Sequence, residues 1–336
     1  MGLIQPICNI VGAASAATIM ARLMSVDVVD ASGTESDSVR IQIDAAGLDT
    51  WPTTGGVLDV QMGYQSTGVR SLGRFKITSM AESLLPAIIT ITGTAVPFEK
   101  ADPTQFKAAR SASWQAVTLG NIVQTIAARH GLTPRVHPTL ASDFVQHIDQ
   151  TNEADVQFLT RLAKTYDAVC KVQGAFLIFS LKGQIESMSG RTMAPITVTY
   201  TGQTSPTDSD FTNASVSSND RHKYNGATAY WQNQQQAKRS KVSVGSTPCA
   251  YVPGTFVNEA SATRAANTRM SKMSREGDKL SLQCQGNPAL AAEAALTLAS
   301  FPSQRMAGQW SIDRVTHTYS RGNGYRCKVE ATRPVG

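Results

Sequence analysis

Two groups of side chains in the middle of the sequence are of the types that bind metals or transfer protons. His130, His137 and His147 lie close together along the chain, and imidazole is a common metal ligand. Their spacings of 7 and 10 residues place them on no common helix face, and no cysteine lies among them. We therefore predict that they bind no metal and that His130 lies at a helix end, where the dipole favours a cationic ring.

The second group is a pair of carboxylates, Glu153 and Asp155, of the kind that serves as general acid and base. Residues two positions apart on a helix point to different sides, which disfavours a shared catalytic cleft. The sequence instead predicts a helix capped by Asn152, with both acids in its first turn, where the dipole favours negative charge. His317 lies in a strand pattern with no obvious acid opposite, so we predict an interface or half-buried position for it.

The sequence contains no motif of the common catalytic classes. It has no G-x-S-x-G elbow, no Walker loop, no H-E-x-x-H and no G-x-G-x-x-G that opens a helix. Its cysteines are scattered, odd in number and without a C-x-x-C pair, which disfavours zinc and dithiol sites. They are Cys8, Cys170, Cys249, Cys284 and Cys327. We predict buried free thiols, no catalytic residue, no metal and no cofactor.

Length and charge limit the possible classes of protein. A chain of 336 residues exceeds what one core normally supports, so two or more domains are expected. The net charge of +6 is uneven, at −4 over residues 1–105, +3 over 106–200 and +7 over 201–336. The tightest basic cluster, Lys238-Arg239-Lys241, has no interleaved aromatic residues, which disfavours specific nucleic-acid recognition. The low charged fraction of 17% suits a subunit that is buried against its neighbours.

The N-terminal stretch 1–24 is mostly apolar, but no basic residue precedes the apolar run as a secretory signal requires. No other stretch approaches the length of a membrane span. We therefore predict a protein that is made and kept in a cytoplasm and contacts no membrane.

Residues 22–100 alternate apolar and polar side chains in short runs that turn residues separate. Val26 and Val28 form one such run, and residues 39–43 form the next. Five or six short strands at this spacing predict a small β barrel or sandwich over residues 1–104.

Residues 105–185 change to a helical period. Apolar residues recur at helical spacing between positions 119 and 127, and Gly131 supplies a stop. Two apolar runs, 168–172 and 175–179, predict a hairpin. The segment is therefore predicted to be an α+β insert of two helices and a hairpin.

Residues 186–336 return to strand patterns, with a helix predicted over 260–276 and a final hairpin of residues 310–319 with 325–331. We predict a second β domain over 186–336, which is a second barrel if the repeat described next is a true duplication. The fold class is thus mainly β, with two related small barrels and a helix-hairpin module between them.

A short pattern of glycine, aromatic residue and isoleucine at alternate positions occurs in both predicted barrels. Its members are Gly73, Phe75 and Ile77 in the first barrel and Gly308, Trp310 and Ile312 in the second. Two short hydrophobic patterns can coincide by chance, but a true duplication would give one chain two copies of one barrel. A homotrimer would then present six similar modules around an axis.

Several motifs resemble the phage late control gene D family, the central hub proteins of contractile tail baseplates. The most specific is the run Asn152-Glu153-x-Asp155-x-x-Phe158-Leu159-x-Arg161-Leu162-Ala163. Others are Gly286-Asn287-Pro288 and the stretch from Gly308-Gln309-Trp310-Ser311-Ile312 through Val315-Thr316-His317 to Gly324-Tyr325. Ala292 departs from the family pattern, which tends to a glycine there.

The resemblance implies two related barrels that join in a trimer as a pseudo-sixfold ring between the tail tube and the central spike. It implies as partners the spike protein, the tube or tube-initiator protein and the end of the tape-measure protein. The expected location is the baseplate of a virion or tailocin particle, assembled in the host cytoplasm. Similar hubs of type VI secretion continue into a spike domain, whereas this chain stops at Gly336, so a separate spike protein is expected.

Two other functions remain open from the sequence. A tail-associated peptidoglycan hydrolase would need a carboxylate pair or a metal set in a cleft, for which Glu153 and Asp155 are the candidates. A nucleic-acid-binding module would use the basic C-terminal third and would lose affinity steeply with salt.

Overall fold

The structure is a computed structural model that describes residues 5–33, 35–48, 54–95, 108–173, 176–182, 195–202, 210–218, 224–233 and 238–333.

The N-terminal elements are β1 (Pro6–Gly12), α1 (Ala16–Ala21), β2 (Leu23–Ala31), β3 (Ser38–Asp44), β4 (Val57–Tyr64), β5 (Gly68–Leu84) and β6 (Ala87–Ala95). The middle elements are β7 (Ala109–Thr118), α2 (Leu119–Arg129), β8 (Thr133–Val136), α3 (Pro138–Ala141), β9 (Phe144–Ala154), α4 (Asp155–Tyr166), β10 (Ala168–Gln173) and β11 (Phe176–Leu181). The C-terminal elements are β12 (Ile196–Thr199), β13 (Phe211–Ser218), β14 (Gly226–Asn233), β15 (Lys238–Gly245), β16 (Cys249–Phe256), α5 (Glu259–Gly277), β17 (Asp278–Gln285), β18 (Ala295–Ala299), β19 (Gly308–Ser320) and β20 (Gly324–Thr332).

By its internal packing, the chain divides into two compact units. The first, unit 1, takes the described residues within Met1–Pro97, Ala194–Val216 and Leu280–Ala331. The second, unit 2, takes those within Phe98–Met193, Ser217–Lys279 and Thr332–Gly336. Strands therefore dominate unit 1, and most of the helical residues belong to unit 2.

Unit 1 contains a twelve-stranded sheet made of two halves. The N-terminal half has the order β1-β4-β5-β6-β3-β2, and the C-terminal half has the order β12-β18-β19-β20-β17-β13. When the strands of each half are counted along the chain, both halves have the same order, 1-4-5-6-3-2. The halves join where β2 pairs antiparallel with β19. One difference is that β1 pairs antiparallel with β4, whereas β12 pairs parallel with β18.

The inward side chains of unit 1 come from the alternating apolar residues of these strands. In β2, for example, Val26 and Val28 are fully buried, while the residue between them is partly exposed. Buried side chains of both halves belong to one apolar cluster that extends through unit 1. The period-two pattern of the sequence thus gives each strand one face for the core.

Unit 2 has helices packed on small sheets. The strands β7 and β9 pair antiparallel, although α2, β8 and α3 lie between them in the chain. The strand β8 pairs parallel with β11, which pairs with β10. A separate sheet, ordered β15-β14-β16, packs against α5 through alanines of both elements. In the described residues no helix is long and apolar enough to cross a membrane.

The helix α2 begins and ends where its local chemistry requires. The Thr118 side chain accepts the backbone N–H of Asn121 at 3.2 Å, which caps the helix start. Gly131 has φ +65°, and the N–H of Leu132 donates back to the Ala127 carbonyl, which ends the helix in a left-handed turn.

The prediction of a mainly β chain with few helices is confirmed, and the helix expected over 260–276 spans Glu259–Gly277. The predicted hairpin is β10 with β11. The pairing of β7 with β9 was not predicted, because these polar strands lack an apolar alternation strong enough to identify them. The predicted boundaries at 104/105 and 185/186 lie outside the described residues. The three-segment division stays a prediction, while packing places the described residues of 217–279 in unit 2.

Candidate functional site

The repeated glycine pattern occupies equivalent places in the two sheet halves. Gly73 lies in β5 and Gly308 in β19, the fifth strand of each half. Both have left-handed backbone angles, with φ of +139° and +100°. A side chain is strained at such angles, so glycine suits both positions. At Gly73 a Cβ would also lie 3.2 Å from the Phe75 ring.

The apolar residues of both copies lie in the core of unit 1. Phe75 and Trp310 are 1% and 0% exposed, and Ile77 and Ile312 are buried beside them. The indole Nε1 of Trp310 donates to the Met306 carbonyl at 2.8 Å, which satisfies the one polar atom of this side chain. The two large aromatic side chains therefore fill corresponding parts of the two halves.

The most specific sequence motif surrounds a carboxylate at the start of α4. Asp155 is fully buried, and its oxygens lie 2.8 Å from His130 Nε2 and 2.8 Å from Gln150 Nε2. The guanidinium groups of Arg110 and Arg129 lie 3.3 and 3.4 Å away. We call these five residues the Asp155 cluster. It joins β7, the end of α2, β9 and the start of α4 around one charge.

Glu153 and Asn152 do not have the positions that the sequence predicted. The helix begins at Asp155, with Ala154 in the cap position, so Asn152 is not its cap and Glu153 lies outside its first turn. Asn152 instead has a left-handed φ of +47° at the end of β9, and its N–H donates to the Ser111 hydroxyl at 3.0 Å. The β7–β9 pairing extends to Ala154 and thereby delays the helix. Only Asp155 is confirmed as a first-turn acid.

The remaining residues of the motif hold α4 in place. Both oxygens of Glu153 accept hydrogen bonds from Arg161, at 3.2 and 2.8 Å, and the same guanidinium donates to the Asp149 carbonyl. Phe158 is buried and stacks on Trp114, with ring centroids 6.1 Å apart. Leu159 is buried in the same apolar cluster.

This arrangement of the two acids opposes acid–base catalysis. The Asp155 carboxylate is fully buried and already contacts four donor side chains, so no proton of a substrate can reach it. The Glu153 carboxylate is fixed by a bidentate arginine. Both acids position structural elements.

His317 is fully buried, which corrects the prediction of an interface or half-buried position. Its Nε2 lies 3.1 Å from the Leu290 carbonyl, and its Nδ1 lies 2.7 Å from the Tyr325 hydroxyl and 3.2 Å from the Cys327 sulfur. Gly286 packs so tightly here that a Cβ would lie 2.1 Å from the Tyr325 ring. The second family motif thus surrounds a polar cluster inside unit 1.

The thiols differ in their acidity according to their surroundings. Hydrogen bonding from Cys284, with smaller contributions from nearby His317 and the backbone of Asn287, lowers the pKa of Cys327 to about 5. Burial raises the pKa of Cys8 and of Cys170 to about 12. All five cysteines are free, as predicted, and Cys8, Cys284 and Cys327 are buried, whereas Cys170 and Cys249 are partly buried.

The lowered pKa of Cys327 predicts a pH-dependent stability. Between about pH 5 and pH 9 the Cys327 thiol is protonated in the unfolded chain but deprotonated in the folded chain. The contribution of this thiol to the free energy of unfolding therefore rises with pH in that range, and it is lost as the pH falls to 5. We expect Cys327→Ala to flatten this rise, measured by denaturant unfolding at a series of pH values. Cys170→Ala, which removes a thiol with a raised pKa, is the control and should keep the slope. Equal slopes in the wild type and Cys327→Ala would contradict the assignment.

The three histidines considered as metal ligands have separate partners. His130 contacts Asp155, the ring of His137 accepts the Thr139 N–H at 3.3 Å, and His147 lies 3.0 Å from Asp149. Among the described residues, no group of three or more histidine, cysteine, aspartate or glutamate side chains could hold a metal ion.

Comparison with known proteins assigns these motifs to a family. The family model described as phage tail baseplate hub (GPD) matches residues 105–323, which include the Asp155 cluster, His317 and the second copy of the glycine pattern. The chain belongs to the phage tail baseplate hub family. The resemblance inferred from the motifs is therefore confirmed.

Relatives of this baseplate hub protein have the same description. It is 27% identical to a probable baseplate hub protein of Escherichia phage P2, over 92% of this chain and 88% of the relative. It is 32% identical to a probable baseplate hub protein of Escherichia phage 186, over 66% of this chain and 54% of the relative.

Solved structures of low sequence identity share the fold. A tail protein from Neisseria meningitidis MC58 matches with a TM-score of 0.68 and 12% identity, over 98% of this chain and 97% of that one. The E. coli c3393 protein, a component of the type VI secretion system, matches with a TM-score of 0.55 and 12% identity, over 94% and 74% of the two chains. The fold thus occurs both in a tail protein and in a component of a type VI secretion system.

Proposed function

We propose that this hub protein forms a homotrimer in which six sheet halves build a closed, pseudo-sixfold ring. The observation that carries the proposal is the identical strand order of the two halves of unit 1, 1-4-5-6-3-2 in each. Equivalent glycines and buried aromatic residues in β5 and β19 support the same duplication. Three chains with two similar halves each supply six similar modules, which suits a closed ring.

The ring would stand between a sixfold tube and a threefold spike in a contractile phage tail or a tailocin. A trimer of duplicated halves presents six modules to the tube, while its true symmetry remains threefold for the spike. Its partners would be the central spike protein, the tube or tube-initiator protein and the tape-measure protein. Assembly would take place in the cytoplasm of the bacterial host, before the particle is complete.

The proposed role is structural and not enzymatic. The two acids that a peptidoglycan hydrolase would use already bind side chains of this protein. Asp155 is buried among four donor side chains, and Glu153 accepts hydrogen bonds from Arg161. We expect no clearing on peptidoglycan zymograms. Clearing that Glu153→Gln abolishes, while circular dichroism shows that the variant stays folded, would favour the hydrolase instead.

The mass of the particle in solution tests the ring. We expect light scattering on the purified full chain, alone or with its spike protein, to give three chains per particle, and electron microscopy to show a ring with a central channel. A chain that stays monomeric in both preparations would contradict the proposal. Images that separate the six modules into two alternating kinds would support the duplicated halves directly.

A further inference from the structure

The face of the sheet β15-β14-β16 that points away from α5 carries a cluster of aromatic and basic side chains. Tyr230 of β14 and Tyr251 of β16 have ring centroids 6.0 Å apart, and Tyr251 is 53% exposed. The guanidinium of Arg239 in β15 lies 4.2 Å from the centre of the Tyr230 ring and donates to the Tyr251 hydroxyl at 3.1 Å. We call Tyr230, Arg239, Lys241 and Tyr251 the Tyr-Arg face.

The strand register places these side chains on one side of the sheet. Tyr230 pairs with Lys241, and the next residue on the same side, Gln232, pairs with Arg239. The residues between them point to the other side, where Ala227 and Ala229 pack on Ala262 and Ala266 of α5. The sheet is thus anchored on one side, and on the other side Arg239, Lys241 and Tyr251 are exposed while Tyr230 is partly exposed.

The charge of the three strands is entirely positive. Lys238, Arg239 and Lys241 are exposed, and the segments 226–233, 238–245 and 249–256 contain no aspartate or glutamate. A guanidinium has five N–H donors, of which Arg239 gives one to Tyr251, so donors remain for a carboxylate. An incoming acidic group would therefore meet cations that no acid of these strands neutralises.

We propose that the Tyr-Arg face docks an acidic segment of a partner protein. Tyrosine and arginine are among the residue types that contribute most to protein interfaces, and here they are held in place before binding, which reduces the entropy cost. Carboxylates of the segment would pair with Arg239 and Lys241, while its aliphatic atoms would cover Tyr251. The inference holds whether or not the chain forms the ring.

Two other roles for this face, protection of a sheet edge and binding of single-stranded nucleic acid, explain fewer of its features. Basic residues on the edge strand β15 hinder pairing between sheets, but that role does not need two tyrosines on the neighbouring strands. Single-stranded nucleic acid needs open rings for its bases, and Arg239 already covers the Tyr230 ring. An acidic polypeptide uses both the guanidinium and the remaining ring.

Binding of a labelled oligoglutamate peptide to the full-length chain tests the proposal. We expect fluorescence anisotropy at low salt to detect binding that Arg239→Gln and Tyr251→Ala each weaken about tenfold. Tyr251→Phe, which keeps the ring, should weaken it less than Tyr251→Ala. Arg70→Gln removes an exposed arginine from unit 1 and is the matched control, with unchanged affinity expected.

Three results would overturn the proposal. The first is no peptide binding at low salt, and the second is an equal loss in Arg70→Gln, which would indicate a general charge effect. The third is tighter binding of labelled oligothymidylate with the same sensitivity to Arg239→Gln, which would assign the face to nucleic acid. Light scattering on each variant shows separately whether the oligomeric state has changed, so a failure of the ring and a failure of this face are distinguishable.

Discussion

Replacement of Trp310 by alanine is expected to lower the free energy of unfolding by about 3–5 kcal/mol. The side chain is fully buried in the core of unit 1, and truncation leaves a cavity that the surrounding strands cannot close. The change also removes the Nε1 donor that satisfies the Met306 carbonyl. Chemical denaturation followed by circular dichroism measures the effect.

The two halves of the sheet, which have the same strand order, provide an internal comparison for this experiment. Phe75→Ala, at the corresponding place in the N-terminal half, should also cost about 3–5 kcal/mol. Leu85→Ala is the matched control, because Leu85 is 98% exposed and its truncation removes no core contact. Losses below about 1 kcal/mol at either aromatic position would show that it does not support the core.

Substitution of Asp155 by asparagine should have a comparable effect, a loss of about 3–5 kcal/mol. The change keeps the shape of the side chain but removes the one negative charge that His130, Arg110 and Arg129 share. It also puts an amide N–H₂ where the carboxylate accepts hydrogen bonds, so at least one buried donor faces another donor. The same denaturation measurement applies.

A nearby aspartate separates this effect from a loss of surface charge. The Asp149 side chain is half exposed, so solvent screens its contacts with Ser113 and His147. Asp149→Asn should therefore leave stability within the error of the measurement. Equal losses in Asp149→Asn and Asp155→Asn would show that the Asp155 cluster has no special role. In the double variant Arg129→Gln with Asp155→Asn, the two losses should not add, because they share one contact.

The parts of the fold that the sequence could predict are those that local periodicity determines. The alternation at Val26 and Val28 identified β2, and the helical spacing before Gly131 identified α2, because burial of one face imposes each period. The order of the twelve strands could not be predicted, since it depends on pairs such as Thr316 with Val29 that lie far apart in the chain.

The candidate site was predictable in its residues but not in their roles. Motif resemblance singled out Glu153 and Asp155, and helix rules assigned both to a first turn. The helix starts only at Asp155, because β9 keeps its pairing with β7 as far as Ala154. The partners Arg110 and His130 come from other elements, and no local pattern in the sequence links either of them to Asp155.

The pairing of β2 with β19 has a consequence for synthesis on the ribosome. Residues 25–31 cannot pair with residues 314–320 until the latter have been translated, so β2 keeps an unpaired edge while unit 2 is synthesised. An exposed strand edge invites pairing with other chains. A chain that terminates before β19 would therefore be prone to aggregation. We expect nascent chains of this hub to depend on chaperones until β19 has been translated and can pair with β2.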